Sequence, residues 1–386
     1  MALIDRINPH IKTIQISDIR KFDMEVSKIP DIIKLTLGEP DFTTPEHVKQ
    51  AGVAAINENV TRYSEMNGFF ELRKAAANFI KEKYNISYNP KTEIIATVGA
   101  TEALSATLFT ILEPGDKVLV PMPIYPGYLP LIAMAGATPI LLDASNNGFV
   151  LTPEHIDEAM KKHSKKVKAI ILNYPSNPTG VTYLRKEIFK LANTLQKYEI
   201  FVISDEIYSE LTYEETHVSF GEYLFNQTIV INGLSKSHAM TGWRIGFTFA
   251  PEKFTQEILK AHQYLVTTTS SISQKAAIEA LTKGMNDAVA MRKEYQKRRD
   301  FVYQEMGKLN FEIARPAGAF YIFAKIPQGH LQNSFAFCHD LAVRGKVALI
   351  PGSAFGEAGE SYVRVSYAAD MEKLVKAMTR LKGYML

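Results

Sequence analysis

The chain has 386 residues and a formal net charge of +3, a near balance that excludes the clustered basic excess of a nucleic-acid binder. Its single cysteine, Cys338, excludes an intramolecular disulfide, and a chain this long buries roughly three-quarters of the surface its unfolded form exposes, so neither disulfide nor metal is needed as a staple. Asp5, Arg6, His10 and Lys12 interrupt the N-terminal isoleucines before a secretory apolar segment forms, and no apolar run approaches the ~20 residues that span a bilayer, so a soluble, cytoplasmic protein is expected.

Residues 1 to about 45 hold an amphipathic start (Ile4, Ile7, Ile11, Ile14) and one apolar run ending at Gly38. From about Thr92 to Ala250, short apolar, β-branched runs predict strands at 93–97, 117–121, 138–142, 167–172, 200–204, 228–231 and 245–250. Helical spacing between them predicts helices that include 100–112, 153–163 and 184–197. Such near-continuous apolar strands imply a sheet covered on both faces, hence a mainly parallel α/β layer. A long helical stretch is expected over 271–309. The order then reads strand 311–314, strand 319–323, helix 334–344, strand 347–350, strand 362–366 and helix 371–384. The simplest arrangement is a large α/β domain with a mainly parallel mixed sheet, helices on both faces, and a smaller α+β domain built from both chain ends. The expected division is 1–45 for the N-terminal arm and part of the small domain, 46–285 for the large domain and 286–386 for the rest of the small one. Cys338, among Phe335, Phe337 and Leu341, is expected to be a buried, inert thiol.

The stretch 231–246, Ile-Asn-Gly-Leu-Ser-Lys-Ser-His-Ala-Met-Thr-Gly-Trp-Arg-Ile-Gly, carries the strongest chemical signal. Lys236 lies in a run of small and polar residues after an apolar strand, and Arg244 follows it, flanked by Gly242, the sole tryptophan Trp243, and Gly246. A Schiff-base lysine needs such surroundings, because its amine must be held near an aldehyde and kept partly deprotonated by desolvation or neighbouring cations. Arg244 offers a planar fork of donors suited to phosphate. Together they point to pyridoxal 5′-phosphate. Asp205 follows strand 200–204 at the carboxyl end, where open α/β sheets bind ligands. It reads either as a helix N-cap or as the partner of the cofactor's pyridine nitrogen, a contact that keeps the ring an electron sink. Tyr208 reads as a donor to the ring oxygen or as an ordinary half-buried tyrosine.

Three further segments follow strand ends. In 173–180 (Asn-Tyr-Pro-Ser-Asn-Pro-Thr-Gly) turn duty explains the prolines and glycine but not two asparagines, and Asn177 suits a hydrogen bond to the same ring oxygen. In 98–103 (Val-Gly-Ala-Thr-Glu-Ala) the free amides of a helix start, with the Thr101 hydroxyl, suit an anion. Tyr125, in 123–128 (Pro-Ile-Tyr-Pro-Gly-Tyr), either packs in its turn or stacks on a flat heterocycle. Finally Arg364, within the apolar strand 362–366, implies a carboxylate partner, either an internal Asp or Glu or the α-carboxylate of a substrate.

With these residues in place, the chain resembles fold-type I pyridoxal-phosphate enzymes, the class I/II aminotransferases, from about residue 30 to the C-terminus. The matching residues are Gly38 in Leu-Thr-Leu-Gly-Glu-Pro-Asp-Phe, Tyr63 with Gly68, 99–101, 123–128, 177–180, 205–208, 235–236, 242–244 and Arg364. Within that family it is similar to the bacterial aromatic and N-acetyl-diaminopimelate aminotransferase group. The resemblance implies an aspartate aminotransferase-like fold and a ping-pong transfer of an amino group from an L-amino acid to a 2-oxo acid such as 2-oxoglutarate. It implies that Lys236 carries the cofactor and shuttles a proton, that Asp205 holds the ring nitrogen, Tyr208 and Asn177 the ring oxygen, and that Tyr125 stacks on the ring. Ala100, Thr101, Ser235 and Arg244 would hold the phosphate, and Arg364 with the backbone of Gly38 the substrate. Tyr63 would reach the neighbouring subunit's cofactor, which implies a homodimer with shared active sites. One departure stands out: many relatives have serine where this chain has Gly233, and Ser235 is the candidate replacement. Two other readings share the motifs. A carbon–sulfur β-lyase of the same fold is separated by amine transfer to 2-oxoglutarate. A non-catalytic ligand sensor would normally carry an added DNA-binding domain, and only about 30 residues precede the matched region.

Overall fold

Buried β-branched runs dictate the central layer of the computed structural model, which describes residues 3–386. Strand β1 (Ile33–Lys34) belongs to the smaller part of the molecule. The large sheet comprises β2 (Ile94–Thr97), β3 (Lys117–Met122), β4 (Thr138–Asp143), β5 (Val167–Asn173), β6 (Phe201–Asp205), β7 (Thr228–Gly233) and β8 (Gly246–Phe249). Their order is β2-β8-β7-β6-β5-β3-β4. Strand β8 runs antiparallel to both neighbours, and the other neighbouring pairs are parallel. Alternation along β2 shows why both faces are apolar. Ile94 and Ala96 pack with Leu72 and Ile80 of the helix Phe70–Tyr84, while Ile95 packs with Leu104 and Leu108 of the helix Gly99–Ile111. The sheet is thus mainly parallel, mixed and sandwiched between helices.

Register sets the site. Asn173 pairs with Asp205 and Asp205 with Ile231, so the carboxyl ends of β5, β6 and β7 lie side by side. The smaller sheet holds β9 (Glu312–Ile313), β10 (Tyr321–Lys325), β12 (Ile350–Pro351) and β13 (Tyr362–Ser366), with β11 (Val347–Ala348) pairing in parallel with β1. Arg364 on β13 is flanked by Phe323 of β10 and Ile350 of β12.

Two expectations need correction. The stretch 271–309 is two helices, Ser271–Leu281 and Ala288–Lys308. Gly284 interrupts them, a poor helix residue whose carbonyl is taken by His238 Nε2 at 2.9 Å. The run 347–350 splits at Leu349, because its halves pair with different partners, β1 and β13. Among the described residues the apolar face of the N-terminal arm is largely uncovered: Ile4 is 63% exposed and Ile7 and Ile11 are 43% exposed, with Ile14 half-buried. Cys338 is fully buried, and burial pushes its thiol up, so it is inert. No helix among the described residues is long and apolar enough to cross a membrane.

Candidate active site

Lys236 sits in the helical turn Leu234–Ser237 that follows β7 directly. Its Nζ donates to the Gly38 carbonyl at 2.6 Å and lies 5.8 and 5.9 Å from the ring centres of Tyr208 and Phe320. The side chain is half-buried by surface area yet closely walled by protein. Desolvation, aided by the cations Arg244 and Arg364 and opposed by Glu39 and Asp205, brings its ammonium down to about 8. Such a lysine is a nucleophile near neutral pH.

Asp205 ends β6, buried. Tyr128 donates its hydroxyl to Oδ2, and the Ile207 amide donates to Oδ1 at 3.2 Å. Burial outweighs both bonds and pushes the carboxyl up to about 6. The backbone is tied down as well, since Asn173 Nδ2 donates to the Asp205 carbonyl at 3.1 Å. Asn173 Oδ1 accepts from the Asn177 amide at 3.0 Å, which aims Asn177 into the same cluster. The two asparagines of the Pro-rich turn therefore have distinct jobs. Tyr208 shares a hydrogen bond with Tyr321 across 2.8 Å. Tyr125 sits edge-on to Tyr128, ring centres 5.3 Å apart, and burial raises its phenol.

A cradle lies beside Lys236. The helix Gly99–Ile111 begins with no side-chain cap, so its first-turn amides face outward under the positive end of the dipole. Gly99 has φ of 73°, and a Cβ there would lie 2.6 Å from Arg244 Nη2. Only glycine lets the guanidinium close over this helix start. Arg244 itself is held at φ of 53°, and one of its nitrogens donates to the Thr241 carbonyl at 3.0 Å. Among the described residues no carboxylate pairs with it, and the hydroxyls of Thr101 and Ser235 have no hydrogen-bond partner. Uncapped amides, an unpaired guanidinium and two free hydroxyls fit a phosphate dianion. At Gly233 a side chain would be tight, because a Cβ would sit 3.0 Å from the Ile245 carbonyl and 3.1 Å from Gly246 Cα, and the neighbouring backbone would have to give by a few tenths of an ångström.

Arg364 is buried with no carboxylate beside it among the described residues. Its Nη1 donates to Asn177 Oδ1 at 3.0 Å and its Nη2 to the Thr36 carbonyl at 2.7 Å, and Nε has no partner. It stacks over Tyr321 and Phe355, 4.5 and 4.8 Å from their ring centres. A buried, unneutralised guanidinium is costly unless an external anion completes it. The Gly38 loop is pinned in place nearby, since Arg298 Nη1 donates to both Asp41 oxygens at 2.9 and 2.8 Å. A Cβ on Gly38 would lie 2.8 Å from the Tyr321 hydroxyl.

The fold thus gathers Lys236, Asp205, Tyr208, Asn177, Tyr125, Arg364 and Gly38 at one sheet edge, with Ala100, Thr101, Ser235 and Arg244 at the adjoining helix start. Tyr63 stands apart, 84% exposed and without a hydrogen bond or ring contact among the described residues. Sequence reasoning missed Tyr321, which braces Tyr208, Arg364 and Gly38 at once, and the hydrogen bond from Tyr128 to Asp205. The spacing of Tyr125 and Tyr128 was a usable signal for the second, whereas nothing local marks Tyr321.

Comparison with known proteins agrees with this geometry. The sequence model described as "Aminotransferase class I and II" matches residues 30–381. A "Probable N-acetyl-LL-diaminopimelate aminotransferase" of Bacillus subtilis is 49% identical over 380 residues, covering 98% of this chain and 96% of that protein. The crystal structure of an aromatic aminotransferase from Pyrococcus horikoshii superposes with a TM-score of 0.88 at 36% identity, covering 94% of this chain and 98% of the other. The aspartate aminotransferase from Thermus thermophilus with maleate gives a TM-score of 0.92 at 32% identity, with 98% and 99% covered. The chain belongs to the class I and II aminotransferases, a family of pyridoxal-phosphate-dependent transaminases.

Proposed function

We propose that this chain works in the cytoplasm as a homodimeric aminotransferase for an N-acetyl-diaminopimelate-type donor, with a 2-oxo acid such as 2-oxoglutarate as acceptor in a ping-pong cycle. The observation that carries this reading is Arg364, a buried guanidinium with no internal carboxylate, in the same cluster as an amine brought down to about 8. Its two-sided fork suits the α-carboxylate common to donor and acceptor, so one site serves both half-reactions. Bound here, pyridoxal phosphate supplies an aldehyde and a ring that accepts electrons. Arg244, Ser235, Thr101 and the amides near Ala100 hold its phosphate. Asp205 faces its ring nitrogen, Asn177 and Tyr208 its ring oxygen, and Tyr125 its face. Lys236 Nζ would move a proton between the substrate α-carbon and the C4′ carbon of the cofactor, in opposite directions in the two half-reactions, while the Gly38 carbonyl keeps that amine placed. Residues 1–45, 46–285 and 286–386 act as arm, large and small domain around this cleft.

The donor class rests on the 49% identical Bacillus relative and on Arg20. This residue is exposed on the helix Asp18–Val26, has no ion pair among the described residues, and sets its charge close enough to counter the burial of the Tyr125 phenol. A cation there suits a donor whose far end bears a second carboxylate, as N-acetyl-diaminopimelate does. The test is a half-reaction screen that follows loss of the bound cofactor's visible absorption with N-acetyl-diaminopimelate, aspartate, alanine, phenylalanine and tyrosine. The acetylated donor should give the highest kcat/KM, and Arg364→Gln should lower it by about 2–5 kcal/mol. Faster depletion by phenylalanine would overturn the donor. Release of ammonia and pyruvate from a thioether amino acid, without glutamate formation, would replace the transaminase by a lyase.

A further inference from the structure

Directly behind Asp205 lies a second carboxylate that the site does not use. Glu206 is fully buried. Its amide still bonds the Ile231 carbonyl at 2.8 Å, so the ladder with β7 continues and its side chain points to the sheet face opposite that of Asp205. Oε1 accepts from Ser204 Oγ at 2.7 Å, Ser219 Oγ at 2.8 Å, the Phe220 amide at 3.1 Å and, more weakly, the Tyr174 hydroxyl at 3.4 Å. Oε2 receives His217 Nε2 at 2.9 Å. So many donors define an ionised carboxylate. His217 is buried too, stacked on Tyr174 at 5.1 Å and edge-on to Tyr84 at 5.1 Å, and its Nδ1 has no partner. An imidazolium would bury that Nδ1–H without an acceptor, so the neutral ring with its proton on Nε2 is the form that fits. The pair therefore carries one net negative charge.

Nothing nearby cancels that charge. The phenols of Tyr84, Tyr88 and Tyr174 are held neutral by burial. Glu210, which accepts from the Tyr84 hydroxyl at 2.6 Å, is matched by Lys83 at 3.2 Å. Lys236 and Arg364 act from the cofactor side. We propose that Glu206, kept ionised by His217, is an electrostatic positioning residue for Asp205, a fixed negative charge that holds a proton on the pair formed by Asp205 and the ring nitrogen of bound pyridoxal phosphate. This rests on the functional reading above. The direction is physical: a like charge close behind a carboxylate disfavours its ionised form and so strengthens its hold on a shared proton.

The test uses Glu206→Gln, which keeps shape and acceptor while removing charge, and two readouts. In the cofactor-free full chain, the Asp205 carboxyl is titrated by 13C NMR, and its midpoint should fall by about one unit. In the holoenzyme, the 15N shift of ring-labelled pyridoxal phosphate should move toward the deprotonated value at neutral pH. A folded Glu206→Gln chain whose Asp205 midpoint stays in place overturns the proposal, because a merely structural Glu206 would lower thermal stability without moving it. If that variant does not fold, Glu206→Met removes the same charge at similar side-chain length. It should lower the midpoint in the same direction, and no movement overturns the proposal equally. Failure of the wild-type chain to bind the cofactor would sink the functional reading instead, and the first readout would still decide the fate of the pair.

Discussion

At the scale of single residues, the chemistry depends on groups moved away from their ordinary titration ranges by burial. Lys236 at about 8 leaves roughly a tenth of its amine free at pH 7, whereas an unperturbed lysine would leave well under a thousandth. The sign is that of a depressed cation: the neutral nucleophile is populated as pH rises through 8, where about half is present, and gains little above about pH 9. The rate at which the cofactor-free chain captures pyridoxal phosphate should therefore climb from pH 6 to about 9 and then level. Stopped-flow absorbance checks this, and a rate still climbing at pH 10 would mean the amine is not desolvated. The segment around Lys236 showed in the sequence that a lysine was held in unusual company. It did not show the size of the effect, because Arg364, Glu39 and Asp205 reach the amine from other parts of the chain.

Among the elements, the start of the helix Gly99–Ile111 is the most exacting joint. Gly99 at φ of 73° admits the Arg244 guanidinium to a distance that a methyl group would forbid. Gly99→Ala forces a left-handed alanine, at about 1 kcal/mol, and displaces the guanidinium from the uncapped amides. The expected result is cofactor affinity reduced by at least tenfold, with a small fall in melting temperature of the cofactor-free protein. Equilibrium dialysis and calorimetry separate the two, and unchanged affinity would place the phosphate elsewhere. Strand ends were read within a residue or two in the large sheet, since buried strands leave an unbroken apolar trace. The helix break at Gly284 was not, because a long-range contact from His238 holds it.

For the molecule as a whole, the exposed surface speaks most clearly. Leu3, Ile4, Ile7, Ile11 and Ile16 are apolar and uncovered, and Tyr63 projects with 84% of its surface exposed. An apolar arm of this kind is stabilised by cover from another chain. The homodimer proposed above predicts a solution mass of twice 43.3 kDa by light scattering. It also predicts that Tyr63→Ala weakens cofactor binding without dissociating the dimer. A monomer that retains full activity would remove Tyr63 from the site.

The sequence by itself determined the architecture and marked the candidate reactive groups. Apolar periodicity is a local property, and Lys236, Asp205, Arg244 and Arg364 each stand in segments whose chemistry is odd for a surface or a plain core. Tertiary structure alone decided which groups face one another. Among the described residues it left Arg364 without an internal carboxylate, set Tyr321 against three site residues, drew the β7 and β8 backbones close at Gly233, and placed a buried Glu206 behind Asp205. These are contacts between residues distant in the chain or on opposite faces of one strand, and burial, which sets their energies, exists only once the layers have packed.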